Sequence, residues 1–175
     1  MAETKEPHQL EAEGKRAYQA KRYGEAARLF AEASRGYTLG RDGLHAAEMD
    51  NNRSVALLKD NRPQEALEAA DGTDKIFEGA NDALKQGMAL GNQAAALDAL
   101  KRYAEAIDRY QRASALFETA RARDMRAMVQ KEIAAIRLKQ GKINEAGMEM
   151  LDSIATVEKP TLWQRFLKFL LRFRQ

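Results

Sequence analysis

The dipeptide Glu-Ala returns at a strict interval of 40 residues: Glu25-Ala26, Glu65-Ala66, Glu105-Ala106 and Glu145-Ala146. A fixed period of this length means stacked copies of one small unit, none of which can bury its apolar face alone. Other positions keep the same step. The residue three before each Glu is basic (Arg22, Arg62, Arg102, Lys142), and the next is Tyr23, Pro63, Tyr103 or Ile143. Four residues after each Ala come Phe30, Ala70, Tyr110 and Met150, and twelve before it come the small residues Gly14, Ser54, Ala94 and Ala134. Nine before each Ala stand Ala17, Leu57, Leu97 and the outlier Arg137. A late aromatic marks three copies, Tyr37, Phe77 and Phe117, with Val157 in the fourth.

The physics of this pattern is a helical hairpin. Apolar residues fall at spacings of three and four on both sides of a short break. The first helix of each unit, helix A, is expected to end near Ala20, Asp60, Leu100 or Gln140. Helix B is expected to begin near Tyr23, Pro63, Tyr103 or Ile143. Pro63 suits a first helical turn, where its missing N–H costs nothing, and Gly141 suits a break because it tolerates positive φ. The small residues on helix A and the recurring Ala on helix B let the two helices approach closely. The recurring Glu lies in the first turn of helix B, where negative charge favours the helix dipole.

These residues resemble the tetratricopeptide repeat. That family pairs a small residue on helix A with an Ala and a large apolar residue on helix B, as in Gly14, Ala26 and Phe30 or Ala94, Ala106 and Tyr110. Tyr23-Gly24-Glu25-Ala26 and Tyr103-Ala104-Glu105-Ala106 resemble its Tyr-x-Glu-Ala turn. The resemblance covers residues 8 to about 157. The period is longer than the family's usual value of about 34, closer to the long-helix variants in kinesin light chains and polarity adaptors, and the family's unit-ending Pro is absent. The implied fold is all-α: a right-handed superhelical array of four antiparallel hairpins, at 8–38, 46–78, 86–118 and 126–157, followed by an amphipathic helix over 160–175.

By the same resemblance the concave face is lined by helix A. The family's inward positions correspond to Lys15, Tyr18 and Gln19, then Asn51, Asn52, Val55 and Lys59. The third unit supplies Met88, Asn92, Ala95 and Asp98, and the fourth Met128, Lys131, Glu132 and Ala135. Peptide or protein contact is expected at Lys15, Tyr18, Asn51, Asn52, Lys59, Asn92, Lys131 and Glu132. Asn52 and Asn92 hold equivalent places. A side-chain amide both donates and accepts, so it suits the backbone of an extended peptide; the competing role is bonding to a neighbouring helix. Members that grip chaperone C-termini carry a clamp of Lys, Asn, Asn, Lys and Arg. The matching places here hold Glu11, Lys15, Asn52, Met88 and Asn92, so that specificity is not expected.

The chain of 175 residues has a net charge of +3 and no cysteine. Disulfides and thiolate chemistry are excluded. The first nine residues contain no apolar run of the secretory type, which gives a cytoplasmic expectation. Four of the basic residues, Arg165, Lys168, Arg172 and Arg174, lie in 162–175 with no acid among them. Without those four, 25 basic and 26 acidic residues remain. The array is therefore near neutral, which argues against nucleic acid along its length.

The segment 162–175 holds the only Trp and three of the six Phe. Pro160 breaks from what precedes it, and Thr161 with Gln164 forms a capping-box signal. On a helical wheel Gln164, Arg165, Lys168, Arg172 and Gln175 share one narrow sector, and apolar residues fill the rest. A cap on the last unit needs a single apolar stripe; a wide apolar arc with a thin basic strip suits the surface of an anionic membrane. Membrane or partner contact is therefore expected at Trp163, Arg165, Phe166, Lys168, Phe169, Leu170, Arg172 and Phe173. The segment is too short and too charged to span a bilayer.

No feature points to catalysis, a metal or a cofactor. His8 and His45 lack companion ligands, the glycines form no phosphate loop, and pairs such as Glu11/Glu13 and Glu65/Glu68 read as solvated faces. Met125, Met128, Met148 and Met150 read as filling of the last unit's core, although Met also adapts to peptide grooves. The sequence thus describes a non-enzymatic adaptor that binds a protein or extended peptide, tethered by its tail to the inner face of a membrane. The alternative is a soluble, self-associating scaffold whose tail caps the array or docks a partner protein.

Overall fold

The computed structural model describes residues 5–141, which form helices and turns with no strand among them. The helices are α1 (Pro7–Gln19), α2 (Tyr23–Leu39), α3 (Gly43–Lys59), α4 (Pro63–Ala70), α5 (Thr73–Gly79), α6 (Ala83–Ala99), α7 (Tyr103–Thr119) and α8 (Arg123–Lys139). Consecutive helices pack as antiparallel hairpins, with α1, α3, α6 and α8 in the helix-A role. The expected partner of α8 (143–157) and the expected tail helix (160–175) lie outside the described residues.

A shorter period lies inside the 40-residue one. Lys21, Arg41, Asn61, Asn81, Lys101, Arg121 and Gly141 all have φ between 56° and 75°. One residue in every twenty thus takes the left-handed conformation, although only the last is Gly. At each of the first six, the next residue's N–H returns to a carbonyl five positions back. Arg22 donates to Ala17 O and Arg102 to Leu97 O, both at 2.9 Å. This bond satisfies a carbonyl orphaned by the helix end. The left-handed residue reverses the chain within three residues. Every full-length helix in the array is consequently 17 residues long.

The helix starts follow two rules. Asp42 and Asp82 cap α3 and α6, accepting from the N–H of His45 at 3.1 Å and Lys85 at 2.9 Å. These caps put the helix-A starts at Gly43 and Ala83. Helix B starts without a side-chain cap at Arg22, Arg62 and Arg102. Instead these arginines pair with Glu25, Glu65 and Glu105 in the first turn, at 3.1, 2.6 and 2.7 Å. The basic residue and the Glu of the repeat are therefore one ion pair. The arginine hydrogen bonds hold the Glu65 and Glu105 carboxyls below their ordinary range.

Close helix contact accounts for the small residues. Ala26, Ala66, Ala106, Ala94 and Ala134 are completely buried, and Ser54 nearly so. A methyl group on Gly14 would meet the Phe30 ring at 2.8 Å, and one on Gly87 the Phe117 ring at 2.7 Å. The core is distributed along the array. One cluster joins α1–α4 through Phe30, Met49 and Leu57, and another joins α6–α8 through Leu90, Tyr110, Phe117 and Ile133.

One hairpin departs from the rule. The helix-B slot of the second unit is split at Asp71-Gly72 into α4 and α5, with Gly72 at φ 74°. The break frees the carbonyl of Ala70, which accepts from Thr73 Oγ1 at 2.8 Å and Gln93 Nε2 at 2.9 Å. Gln93 also donates to the buried Asp74 at 2.9 Å. The polar groups exposed by the break are thus paired across α5 and α6, as burial requires.

Replacing Ala106 by Leu forces new volume into the α6–α7 contact and is expected to cost about 1–3 kcal/mol. Ala104→Leu, at an exposed position of the same turn, is expected to change stability by less than about 0.5 kcal/mol. Chemical denaturation of both variants checks the pair.

Candidate functional site: a methionine-rimmed groove

Helix-A residues from two successive units meet in one open groove of about 660 Å³. From α6 come Met88, Gly91, Asn92, Ala95, Asp98 and Ala99, and from α8 come Met125, Met128, Val129 and Glu132. Tyr110 and Phe117 of α7 reach it from below, and Leu58 of α3 closes one end. The small residues Gly91 and Ala95 leave the floor open, while Tyr110 and Phe117 make it apolar. Met88 is 43% exposed and Met128 60% exposed. Met128 therefore stands on the rim and does not fill the core, because it points away from the α7–α8 contact that buries Val129 and Ile133.

The charged groups of the groove are carboxylates. Asp98 is bridged by Lys139 of the next helix A at 2.8 Å. The Lys139 ammonium is held protonated above its ordinary range by that bond. Glu132 is half-buried beside it. Burial raises the Tyr110 hydroxyl well above the ordinary phenol range, and the fields of Glu132 and Asp98 add to it. Tyr110 stays neutral in the groove floor at any physiological pH.

Of the residues expected to touch a partner, Asn92 and Glu132 lie in this groove, together with the inward positions Met88, Ala95, Asp98 and Met128. Asn51 does not face it. It is only 9% exposed, and its Oδ1 accepts from Asn92 Nδ2 at 3.4 Å and Thr73 Oγ1 at 3.3 Å. The helix break at Gly72 brings Thr73 to Asn51 and makes it a bridge between helices. Asn92 thus bonds a neighbouring helix through its nitrogen while lining the groove. Asn52 is half-buried, and Lys59 and Lys131 are exposed.

The first-unit residues are elsewhere. Lys15 pairs with Glu11 one turn away at 2.6 Å, and Tyr18 packs edge-on against Tyr23. Tyr37 donates to Glu11 at 2.8 Å and stacks on His45. Burial raises the Glu11 carboxyl, but the bonds from Lys15 and Tyr37 outweigh it and leave the carboxyl low. Burial and the bond to Glu11 push the Tyr37 hydroxyl up to about 12. Trp163, Arg165, Phe166, Lys168, Phe169, Leu170, Arg172 and Phe173 lie outside the described residues. Among the described residues no helix is long and apolar enough to cross a membrane.

The sequence missed Leu58, Tyr110 and Phe117 as groove residues. Tyr110 and Phe117 carry the helix-B signature of the repeat, which reads as core. Only the pairing of two units shows that both buried rings line the groove.

No protein-family model matches the chain, and no curated protein matches it. Among solved structures, aspartyl phosphate phosphatase F from Bacillus subtilis superposes with a TM-score of 0.80 at 18% identity, over 94% of this chain. The chain spans 45% of the length of that protein. The likeness establishes a tetratricopeptide-like helical-repeat fold.

The two raised tyrosines give stability a definite alkaline slope. An unfolded tyrosine ionises near 10, whereas folded Tyr37 and Tyr110 hold their protons higher. Above pH 10 the unfolded state binds fewer protons, so stability falls as pH rises through about 12. Lys85 and Lys139, held protonated by Glu48 and Asp98, add to the same loss. Denaturation midpoints across this range are expected to fall less steeply for the Tyr37→Phe/Tyr110→Phe double variant.

Proposed function

We propose that the chain is a non-enzymatic interaction module that holds an extended protein segment on its helix-A face, over the groove between α6 and α8. The observation that carries this reading is the exposure of Met88 and Met128 above a floor of Tyr110, Phe117 and Ala95. Clustered exposed apolar side chains mark binding surfaces on soluble proteins, and Met repacks around varied side chains. The volume is in the range of sites that enclose small ligands, ~300–1,000 Å³, which is room for one or two apolar side chains of a bound segment. Asn92 supports the backbone contact. Its nitrogen is occupied by Asn51, which orients the amide and leaves its oxygen to accept a peptide N–H. Asn52 is the equivalent amide one unit earlier.

The solved neighbour is an aspartyl phosphate phosphatase. That chemistry is not part of this reading. The groove presents thioethers, aromatic edges and the carboxylates of Asp98 and Glu132, which repel a phosphate anion. Tethering of the module to an anionic membrane through 162–175 competes with the use of the same residues as a cap on the array or a dock for a partner protein. The expected setting of the module remains the cytoplasm.

The test is a displayed library of short random peptides panned on the full chain. Enriched peptides are expected to lose about tenfold or more in affinity, roughly 1.4 kcal/mol, for Met88→Glu/Met128→Glu. The exposed positions predict an unchanged melting temperature for this variant. Asn92→Ala is expected to weaken the same peptides. Equal affinity for the wild type and the Met double variant would sink the groove as the binding site.

A further inference from the structure

The groove between α6 and α8 is charged as well as apolar, and its charge has one sign. The charged residues that line it, Asp98 and Glu132, are both acidic. Lys139 bridges Asp98 at 2.8 Å, and its ammonium also feels Glu132. One cation against two carboxylates leaves a net negative charge at this end of the groove. Glu132 is half-buried and, among the described residues, makes no ion pair of its own. Lys59 and Lys131 are exposed and take no part in the lining. At the Met88 end, Lys85 is taken up by Glu48. Burial first, and then the fields of Glu132 and Asp98, keep the Tyr110 hydroxyl protonated in the floor. The negative field thus reaches the apolar part of the site.

The order of groups along α8 sets a spacing. Met128 and Glu132 are one helical turn apart on α8, so both lie on one face with a rise of about 6 Å between them. Met88 and Asn92 repeat that step on α6. An extended segment advances about 3.3 Å per residue and turns alternate side chains to the same side. Side chains two positions apart on it are therefore about 6.6 Å apart, and both face the groove. An apolar side chain over the Met88/Met128 rim thus carries its second neighbour to Glu132. A half-buried carboxylate loses hydration when a partner covers it, and a cation offsets that loss. The residue that fits there is Lys or Arg.

We propose that the groove selects, within an extended partner segment, a large apolar residue two positions from a Lys or Arg, and that Glu132 is the residue that reads the cation. Asp98 is already bridged by Lys139 and contributes its field. The place of Glu132 is held by Asn52 and Asn92 in the earlier units, so α8 exchanges a neutral amide for a charge. This selection rests on the proposed reading of the groove as a peptide site and adds the chemistry of its occupant.

Two displayed peptide libraries, panned on the full chain, test the selection. One carries Leu, Phe or Met two positions from Lys or Arg, and the other the same apolar residues two positions from Asp or Glu. The basic library is expected to enrich and the acidic one to fail. An enriched peptide is expected to lose about tenfold or more in affinity for Glu132→Lys. Its counterpart with Glu in place of the cation is expected to bind Glu132→Lys more tightly than the wild type. Glu132→Gln keeps the shape of the side chain and serves where charge reversal disturbs folding. It is expected to flatten the fall of affinity with added salt. Equal enrichment of the two libraries, equal affinity for wild type and Glu132→Lys, or an unchanged salt dependence in Glu132→Gln overturns the proposal. So does a dimer in light scattering that Met88→Ser/Met128→Ser dissolves, which would put a second copy in the groove. The same Ser pair leaves the charge of the rim unaltered and separates the two readings. If it weakens binding and the Glu132 variants do not, the groove stands and the charge selection falls. If neither weakens binding, the groove itself falls.

Discussion

A single residue in the left-handed conformation, once in every twenty, governs the geometry of this protein. Each such residue ends a helix, returns an N–H to an orphaned carbonyl and reverses the chain within three positions. The interval leaves 17 residues for each helix. Because α3, α6 and α8 are equal in length and start in phase, equivalent residues of successive units come side by side. Without that phase Met88 and Met128 would not share a rim, and Asp98 would not reach Lys139. The conformation is unfavourable for Lys and Arg by roughly 1–2 kcal/mol per residue. It persists because the apolar faces on both sides of each turn are buried.

The helix break at Gly72 shows how one local departure reshapes the binding face. It frees the carbonyl of Ala70 and places Thr73 and Asp74 inside the array. Gln93 and Asn51 respond from α6 and α3, pairing with these groups. Asn51 becomes interior, and the amide of Asn92 is fixed at the groove edge. The break thus converts two neighbouring asparagines, 51 and 52, into different roles: one holds helices together, and the other remains half-buried on the face.

Much of the hairpin geometry was legible in the sequence. Helix-B starts at Tyr23, Pro63 and Tyr103 and helix-A ends beside Ala20, Asp60 and Leu100 follow from apolar spacing and the breaks between runs. The close contacts at Gly14, Ser54, Ala94 and the recurring Ala follow from residue size. The twenty-residue half-period was hidden, because Lys, Arg and Asn at its turns carry no shared signal. The break in the second unit was hidden for a similar reason: one Gly in a helical pattern is weak evidence until its φ is known. The Arg and Glu of each helix-B start were visible as a repeat, but their pairing depends on the first-turn geometry.

For the candidate site, the sequence determined which residues lie on helix A and which of them recur. It therefore placed Met88, Asn92, Asp98, Met128 and Glu132 on one face. Tertiary structure alone decided which of these meet, because the groove is bounded by residues about 40 positions apart and floored by a third helix. Periodicity records which side of a helix a residue occupies. It does not record what the neighbouring helices bring against that side: the break at Gly72 sets Thr73 against Asn51 and buries it, whereas Met128 stays exposed.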